Sequence, residues 1–422
     1  MSYSILDRAS LPSYLGELPD VVNILGEGAE LDIEEVGDGN LNYVYKVRRA
    51  DDPERAIVLK QAVPYLRMVG EAWPLSRQRM TFEIRGLQLY NQLVPDFVPR
   101  IYHADEDMSV LAMQFLDSHI ILRHGMIKGV VYPRIGQDVG TFLAETLFKT
   151  SALGMESIER RRLMDRFTLN DELCKLTEEF IFTFPLMEHE SNYSNSATDE
   201  FARRHLRTDT EYKLRVLKLK ELFITKTDAL LHADLHTGSL MVNESETYVI
   251  DMEFAYFGPF GFDIGKIIAN FLLSYTSHFH HSDDDSYQEW ILTEAMKIWR
   301  VFEARFLALW AEQGDSAMLI DGLLADDELA EYKRRFLLDI FHDTIGFCGC
   351  SLARRTVGIA GVADIRDIPD AQRRSELEIT NLELSKLLVL QHDKIDSIED
   401  LEAMLRAFYD SRSTKLRSHI SG

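Results

Sequence analysis

Three carboxylates in the middle of the chain are spaced for chemistry. The stretch Leu231-His232-Ala233-Asp234-Leu235-His236-Thr237-Gly238-Ser239 precedes Tyr248-Val249-Ile250-Asp251-Met252-Glu253. Asp234 sits in a polar, turn-rich segment, where a carboxylate can accept or orient the proton of a hydroxyl. Asp251 directly follows a short apolar strand. On an extended backbone residues i and i+2 share a face, so Asp251 and Glu253 are expected to point the same way. Two carboxylates on one face suit magnesium, a hard cation that takes oxygen ligands and substrate phosphates. In isolation Asp-x-Glu is more often a solvated acidic turn. The His-x-Asp loop upstream and the apolar flanks favour the metal reading.

Lys60 closes the apolar run Ala56-Ile57-Val58-Leu59-Lys60. Such a lysine is either a solvated strand end or a cation for α- and β-phosphates, with Glu83 on the following helix as its ion-pair partner. Gly37-Asp38-Gly39-Asn40 lies between two predicted strands. Glycines there let backbone N–H groups approach phosphate oxygens, and Asn40 adds a side-chain donor. The same four residues also make an ordinary hairpin turn. Together these groups fit phosphoryl transfer, in which a protein holds the nucleotide, neutralises charge and places the acceptor oxygen in line. Adjacent Arg354 and Arg355 follow the apolar run 345–352. On the surface they would form a solvated ion-pair site. Partly buried, they suit a hydroxyl-rich or phosphate-bearing ligand and repel a polycationic one. His278, His280 and His281, beside Asp283, Asp284 and Asp285, read as a solvated loop with no fixed metal geometry.

The elements that must position these groups change character near residue 117. Residues 31–36 and 42–47 alternate in and out around a turn and predict a hairpin. Residues 56–60 make a third strand, and 99–103 and 109–115 two more. Between them Ser76 is placed to cap a helix to about residue 93, with Met80, Ile84, Leu87 and Tyr90 on one face. Beyond residue 117 helical periodicity dominates, at 160–167, 211–227, 286–313, 327–352 and 372–392. A short β patch at 240–242 and 248–251 interrupts it, and the polar stretches 189–198 and 282–286 read as surface loops. The expected fold is α+β and two-lobed, protein-kinase-like. A small β-rich N-lobe (1–117) would hold the nucleotide, and a larger, mostly helical C-lobe (118–422) would carry catalysis and substrate binding.

Composition is compatible with this outline. A chain of 422 residues exceeds one compact core. Its 46% hydrophobic and 27% charged residues are ordinary globular values. A net charge of -23 repels phosphate backbones and anionic lipid, so neither nucleic acid nor membrane is an expected partner. Cys174, Cys348 and Cys350 make no disulfide framework and no zinc set, and read as packed thiols of a reducing compartment. The first ten residues lack an apolar signal core, and the apolar stretch 267–273 is too short to cross a bilayer. A cytoplasmic location is expected.

HADLHTGS followed by the Asp-x-Glu segment resembles the aminoglycoside-phosphotransferase and choline-kinase branch of the kinase-like superfamily. Within that branch the chain is similar, over nearly its whole length, to the 5-methylthioribose kinase family. The matching blocks are VGDGNLNYVYKV, KQAVPYLRMVGEAWPL, VYPRIGQDVGTFLAETLFKTS, DMEFAYFGPFGFDIGKIIANFLL and GFCGCSLARRTVGIAGVADI, in that order. The resemblance implies ATP-dependent phosphorylation of the anomeric (1-)hydroxyl of 5-methylthioribose in methionine salvage, with ATP and Mg2+, by a homodimer. It implies that Asn40 and Lys60 touch ATP and that Gln114-Phe115-Leu116 is a hinge meeting adenine through backbone groups. Asp234 would face the sugar hydroxyl, Asp251 and Glu253 would hold magnesium, and Arg354 and Arg355 would reach the sugar. Trp73 would belong to a loop covering the site.

Three places depart from the family pattern, and a fourth departs from that of protein kinases at large. Ala233 stands where the family usually has glycine, which a methyl group tolerates if the backbone is not at positive φ. Gln114-Phe115 replaces a usual acidic pair. Ser239 replaces the metal-binding asparagine of most protein kinases, though serine is typical of this family. Gly361 replaces a usual histidine. The alternatives are a kinase of the same branch acting on choline, homoserine or an aminoglycoside, or a catalytically silent nucleotide-binding scaffold.

Overall fold

The computed structural model describes residues 3–36, 41–67, 70–192, 195–282 and 284–417. The candidate nucleotide turn Gly37, Asp38, Gly39 and Asn40 lies outside the described residues. Two short helices, α1 (Leu11–Gly16) and α2 (Pro19–Leu25), each have a proline in the first turn, where a missing N–H costs nothing. They precede β1 (Leu31–Glu35), β2 (Asn42–Arg49) and β3 (Asp52–Ala62). A small hairpin, β4 (Tyr65–Leu66) and β5 (Gly70–Pro74), leads to α3 (Arg79–Leu93). Strands β6 (Ile101–Asp105) and β7 (Val110–Gln114) complete an antiparallel sheet in the order β1-β2-β3-β7-β6.

Period-two alternation decides which residues this sheet offers to the rest of the molecule. Tyr45, Val47, Ile57, Leu59, Val110 and Ala112 pack in one core with Leu11, Leu15, Val21 and Leu25 of the two short helices. Asn42 and Lys60 are therefore on the other face, toward α3. Lys60 is no strand end: β3 runs on to Ala62, and Lys60 pairs with Val44 and Leu111 in the middle of the sheet. Helix α3 begins later than the cap expected at Ser76, whose Oγ accepts the Gln78 N–H at 3.1 Å in a turn ahead of the helix.

The chain then becomes mostly helical. It forms β8 (Ile120–Ile121), α4 (Leu122–Ile127), α5 (Ile135–Thr150), α6 (Ser157–Asp165), α7 (Asp171–Phe182), α8 (Ser196–Ala202) and α9 (Thr210–Thr225). Four short strands follow: β9 (Ala229–Leu231), β10 (Leu240–Val242), β11 (Thr247–Val249) and β12 (Tyr256–Gly258). β9 pairs with β12, and β10 pairs with β11 and β8. Last come α10 (Gly261–His281), α11 (Asp285–Glu312), α12 (Asp326–Val357), α13 (Ala363–Arg366), α14 (Ala371–Gln391) and α15 (Ile398–Arg417). A small antiparallel sheet followed by a larger helical part is the expected α+β, kinase-like arrangement.

Several local expectations differ. Asn195 accepts the Thr198 N–H at 3.0 Å and so caps α8, where a surface loop was expected. His278, His280 and His281 end α10 and do not lie in a loop; His278 is buried, with Nε2 at 2.8 Å from the Met126 carbonyl. Periodicity misses α5 and α10 because both are buried nearly all round. Gly265 lets α10 lie directly on α12, since a Cβ there would collide with the Thr344 carbonyl. Among the described residues one helix, α12, is long and apolar enough to cross a membrane by length and composition, and 78% of its apolar stretch is buried inside the protein.

Candidate active site

The loop between β9 and β10 carries Asp234, and its backbone is held from three directions. Asp263, in the first turn of α10, accepts the N–H groups of His232 at 2.7 Å and Ala233 at 2.9 Å. His232 Nδ1 accepts the Asp234 N–H at 3.2 Å, which leaves its Nε2–H to donate to the Ile250 carbonyl at 2.8 Å, next to Asp251. Ser239 Oγ accepts the His236 N–H at 2.8 Å and lies 3.0 Å from the Asp234 carbonyl. It is consumed in closing the loop.

Held this way, Ala233 has φ +63°, a region that glycine enters freely and other residues resist, so the condition under which a methyl group is tolerated is not met. The strain of about 1–2 kcal/mol would be relieved by Ala233→Gly. Against that stand the unfolded-state freedom glycine gains, about 0.4–1 kcal/mol, and the lost burial of one methyl, about 0.8 kcal/mol. The terms cancel. Ala233→Gly is expected to leave the melting temperature and kcat essentially unchanged, whereas the β-branched Ala233→Val should cost about 2 kcal/mol or more. Thermal melts of the two variants side by side check this, and a Val variant as stable as the parent would contradict it.

Asp234 is partly buried among cations. Lys266 Nζ is bonded to its Oδ1 and, at 2.9 Å, to the Ala233 carbonyl. Arg355 Nη2 lies 3.6 Å from Oδ1 and His236 Nε2 3.3 Å from Oδ2. The Gly238 N–H donates to His236 Nδ1 at 2.8 Å, so the imidazole proton is on Nε2, facing the carboxylate. Burial acts to raise the Asp234 carboxyl, and Lys266, then His236 and Arg355, outweigh it and hold it well below the usual carboxylate range. Burial also lowers His236, to about 3 despite Asp234, so the ring is neutral.

A second cluster forms around Lys60. Its ammonium is 2.8 Å from Glu83 Oε1 and 2.7 Å from Asp251 Oδ1. Burial favours the neutral amine, but Asp251, Glu83 and Glu253 outweigh it and Lys60 keeps its proton. Glu83 gets there because α3 lies close on the turn after Asp251. A Cβ on Gly86, one turn beyond Glu83, would sit 3.1 Å from the Met252 side chain.

The shared-face premise for Asp251 and Glu253 does not hold. Asp251 is left-handed at φ +66° and Met252–Phe254 is a 3-10 turn, so the pair does not lie on an extended backbone, although both carboxylates still act on the Lys60 ammonium. Asp251 remains 48% exposed while Glu253 is 6% exposed. Glu253 Oε2 accepts from Asn42 Nδ2 at 3.0 Å with Arg79 at 3.7 Å, and Arg79 Nε donates to Asn42 Oδ1 at 3.0 Å.

Gln114 ends β7, Phe115 lies under the Lys46 ammonium at 4.0 Å, and Leu116 is buried where the chain leaves the sheet for the helices. Trp73, on β5, is 37% exposed and lines a groove of about 580 Å³ with Leu176, Phe180, Phe184 and Ile359, the last just beyond the Arg354–Arg355 helix end. Arg354 and Arg355 close α12. Arg354 Nε and Nη1 and Arg355 Nε and Nη2 are buried without hydrogen-bond partners among the described residues. Such groups cost about 1–3 kcal/mol each, which a ligand rich in oxygens would recover. Arg366 fills the space beside Gly361.

Lys266, Asp263, His236, Arg79 and Asn42 were not singled out as site residues from sequence. The signal for the first two is readable: they are the charged residues in Gly261–Leu273, otherwise nearly all apolar, and a buried charge demands a partner. Arg79 and Asn42 carry no such mark.

A sheet lysine buried against a helix glutamate, with a loop aspartate and a second acidic turn nearby, is the arrangement of a phosphotransferase. Residues 32–299, more than half of the chain, match the model of the phosphotransferase enzyme family. Methylthioribose kinase 1 of Oryza sativa subsp. japonica is 38% identical over 96% of this chain and 95% of its own length. Methylthioribose kinase of Geobacillus sp. (strain WCH70) is 38% identical, covering 91% and 92%. That of Bacillus cereus (strain AH187) is 40% identical, covering 88% and 90%. The chain belongs to the methylthioribose kinase family.

Proposed function

We propose that the protein transfers the γ-phosphoryl group of ATP to the anomeric (1-)hydroxyl of 5-methylthioribose, giving 5-methylthioribose 1-phosphate and ADP. The observation that carries the reading is the pairing of two clusters tied through one strand end. His232 bonds both Asp234 and the Ile250 carbonyl, so the acceptor carboxylate and the Lys60–Asp251 pair are held in register. Family membership supports the substrate.

In this reading residues 1–117 hold the nucleotide and 118–422 hold the sugar. Gly37, Gly39 and Asn40 are assigned to bind the phosphates, Lys60 neutralises them with Glu83 behind it, and the 114–116 backbone meets adenine. Asp234 orients the sugar hydroxyl and takes its proton as the new O–P bond forms and the bond to ADP breaks. Arg354 and Arg355 bind sugar oxygens, and Trp73 covers the site. The cations around Asp234 would repel choline or an aminoglycoside.

The residues fit a magnesium ion. Glu83, Asp251 and Glu253 are three carboxylates against the two cations Lys60 and Arg79, and Asp251 Oδ2 has no partner among the described residues. Asp251, with Glu253 through the oxygen not bonded to Asn42, would hold the ion. When bound it supplies positive charge to the phosphates. We further place the protein in the cytoplasm as a homodimer, with no nucleic-acid or membrane partner, on the support of its net charge of -23 and its family.

The test is transfer from ATP to methylthioribose followed by phosphorus and carbon NMR of the product. Coupling of phosphorus to the anomeric carbon is expected. Phosphate on another carbon, or ATP binding without turnover, would overturn the assignment.

A further inference from the structure

Lys266 lies in the second turn of α10, in which every residue from Gly261 to Phe279 is buried. Its side chain is only 3% exposed. An ammonium removed from water is strongly disfavoured unless its hydrogens find good acceptors. Here they find Asp234 Oδ1 and the Ala233 carbonyl. Asp263, one turn earlier on the same helix, takes the N–H groups of His232 and Ala233. One helix face thus grips Ala233 at both its N–H and its C=O, and the next residue's carboxylate by one oxygen. That grip acts where the backbone resists most, since Ala233 is at φ +63°.

We propose that Lys266 is a positioning residue for phosphoryl transfer: by holding Asp234 Oδ1 and the Ala233 carbonyl, it leaves Oδ2, beside neutral His236, as the oxygen that meets the acceptor hydroxyl. This rests on the kinase reading of the site. The acceptor proton passes to Oδ2 and Lys266 keeps its own protons throughout. The charged groups acting on Lys266 are Asp234 from the loop, Asp263 from its own helix, and Arg354 and Arg355 from α12, with His236 beside the other oxygen of Asp234. Burial lowers the ammonium, Asp234 raises it, and the two arginines lower it again, to about 8. Asp234 and His236, both displaced to low values, do not titrate nearby. Below about pH 8 Lys266 is charged and the hold is present; above it the proton, and the hold, are lost.

The experiment is kcat and KM against pH for the full chain and for Lys266→Met and Lys266→Arg, with thermal melts alongside. Parent activity should fall as pH rises through about 8. Lys266→Met should lower kcat by about 10–100-fold at neutral pH with KM for ATP nearly unchanged, the expected cost of a misaimed group. Lys266→Arg should recover part of kcat and lose the alkaline fall, because a guanidinium keeps its proton. A Met variant with parental kcat, or an Arg variant with the parent's alkaline fall, overturns the proposal; the Arg variant decides if the Met variant does not fold. A parent that turns over no methylthioribose overturns the kinase reading itself, and the proposal with it. Normal parental turnover with indifferent variants overturns the proposal alone.

Discussion

Asp234→Ala is expected to lower kcat by about 10²–10⁴-fold, the usual worth of a positioned proton acceptor, while ATP still binds. The nucleotide cluster is built from other residues, Lys60 on β3, Glu83 on α3 and Asp251 after β11. Alanine also strands Lys266 and Arg355 beside an empty place, so the drop would mix chemistry with local collapse. Asp234→Asn separates the two. An amide oxygen can still accept from Lys266 but cannot take a proton, so Asn should lose nearly as much kcat as Ala with a smaller change in melting temperature. Because Lys266, His236 and Arg355 hold the Asp234 carboxyl well below the usual range against the effect of burial, it stays ionised at ordinary pH. No loss of activity on mild acidification should trace to it. Coupled measurement of ADP release and nucleotide titration would check both variants. Near-parental turnover in Asp234→Asn would remove this carboxylate from the mechanism.

Asp251→Asn is expected to lower kcat by about 10²–10³-fold, as for loss of one group that stabilises charge in transfer, and to raise the magnesium concentration needed for half-maximal rate. Lys60 should survive the change. It keeps Glu83 at 2.8 Å, so the variant ought to fold and to retain most of its affinity for ADP without metal. In the parent, burial raises the Asp251 carboxyl and the adjacent ammonium more than reverses this, so an anion sits at the cleft without metal. Titrating Mg2+ against rate reads the effect directly. If kcat falls while the magnesium dependence is that of the parent, Asp251 acts only on Lys60 and is no ligand.

Lys60 and Glu83 show how far residue types alone can reach. A lysine in an apolar strand followed by a helix glutamate is a physical oddity in sequence, because burial of either alone is prohibitive. The structure puts both almost wholly out of solvent, at 5% and 3% exposure. Asp251 and Glu253 show the opposite. Their spacing suggested one face of a strand, but a left-handed residue followed by a 3-10 turn aims them instead. Such a turn leaves no periodic trace, because it depends on what α3 and the neighbouring strands press against it. Lys266 fell between these cases. Its oddity is legible as a charge inside an apolar helix, but its partner lies 32 residues away in another element.

The β-rich first part and the helical remainder, the lysine and the acidic loops, and the chemistry they are suited to could be read from residue types and local spacing, since strand alternation, turn chemistry and the cost of burying charge act over a few residues. Which carboxylate oxygen faces the cleft, the positive φ of Ala233, the capture of Glu253 by Asn42 and Arg79, and the convergence of Lys266, Arg354 and Arg355 on Asp234 were decided by tertiary structure. Each depends on groups distant along the chain meeting in a low-dielectric interior, where the geometry of a few ångströms sets both the electrostatics and the price of the backbone shape.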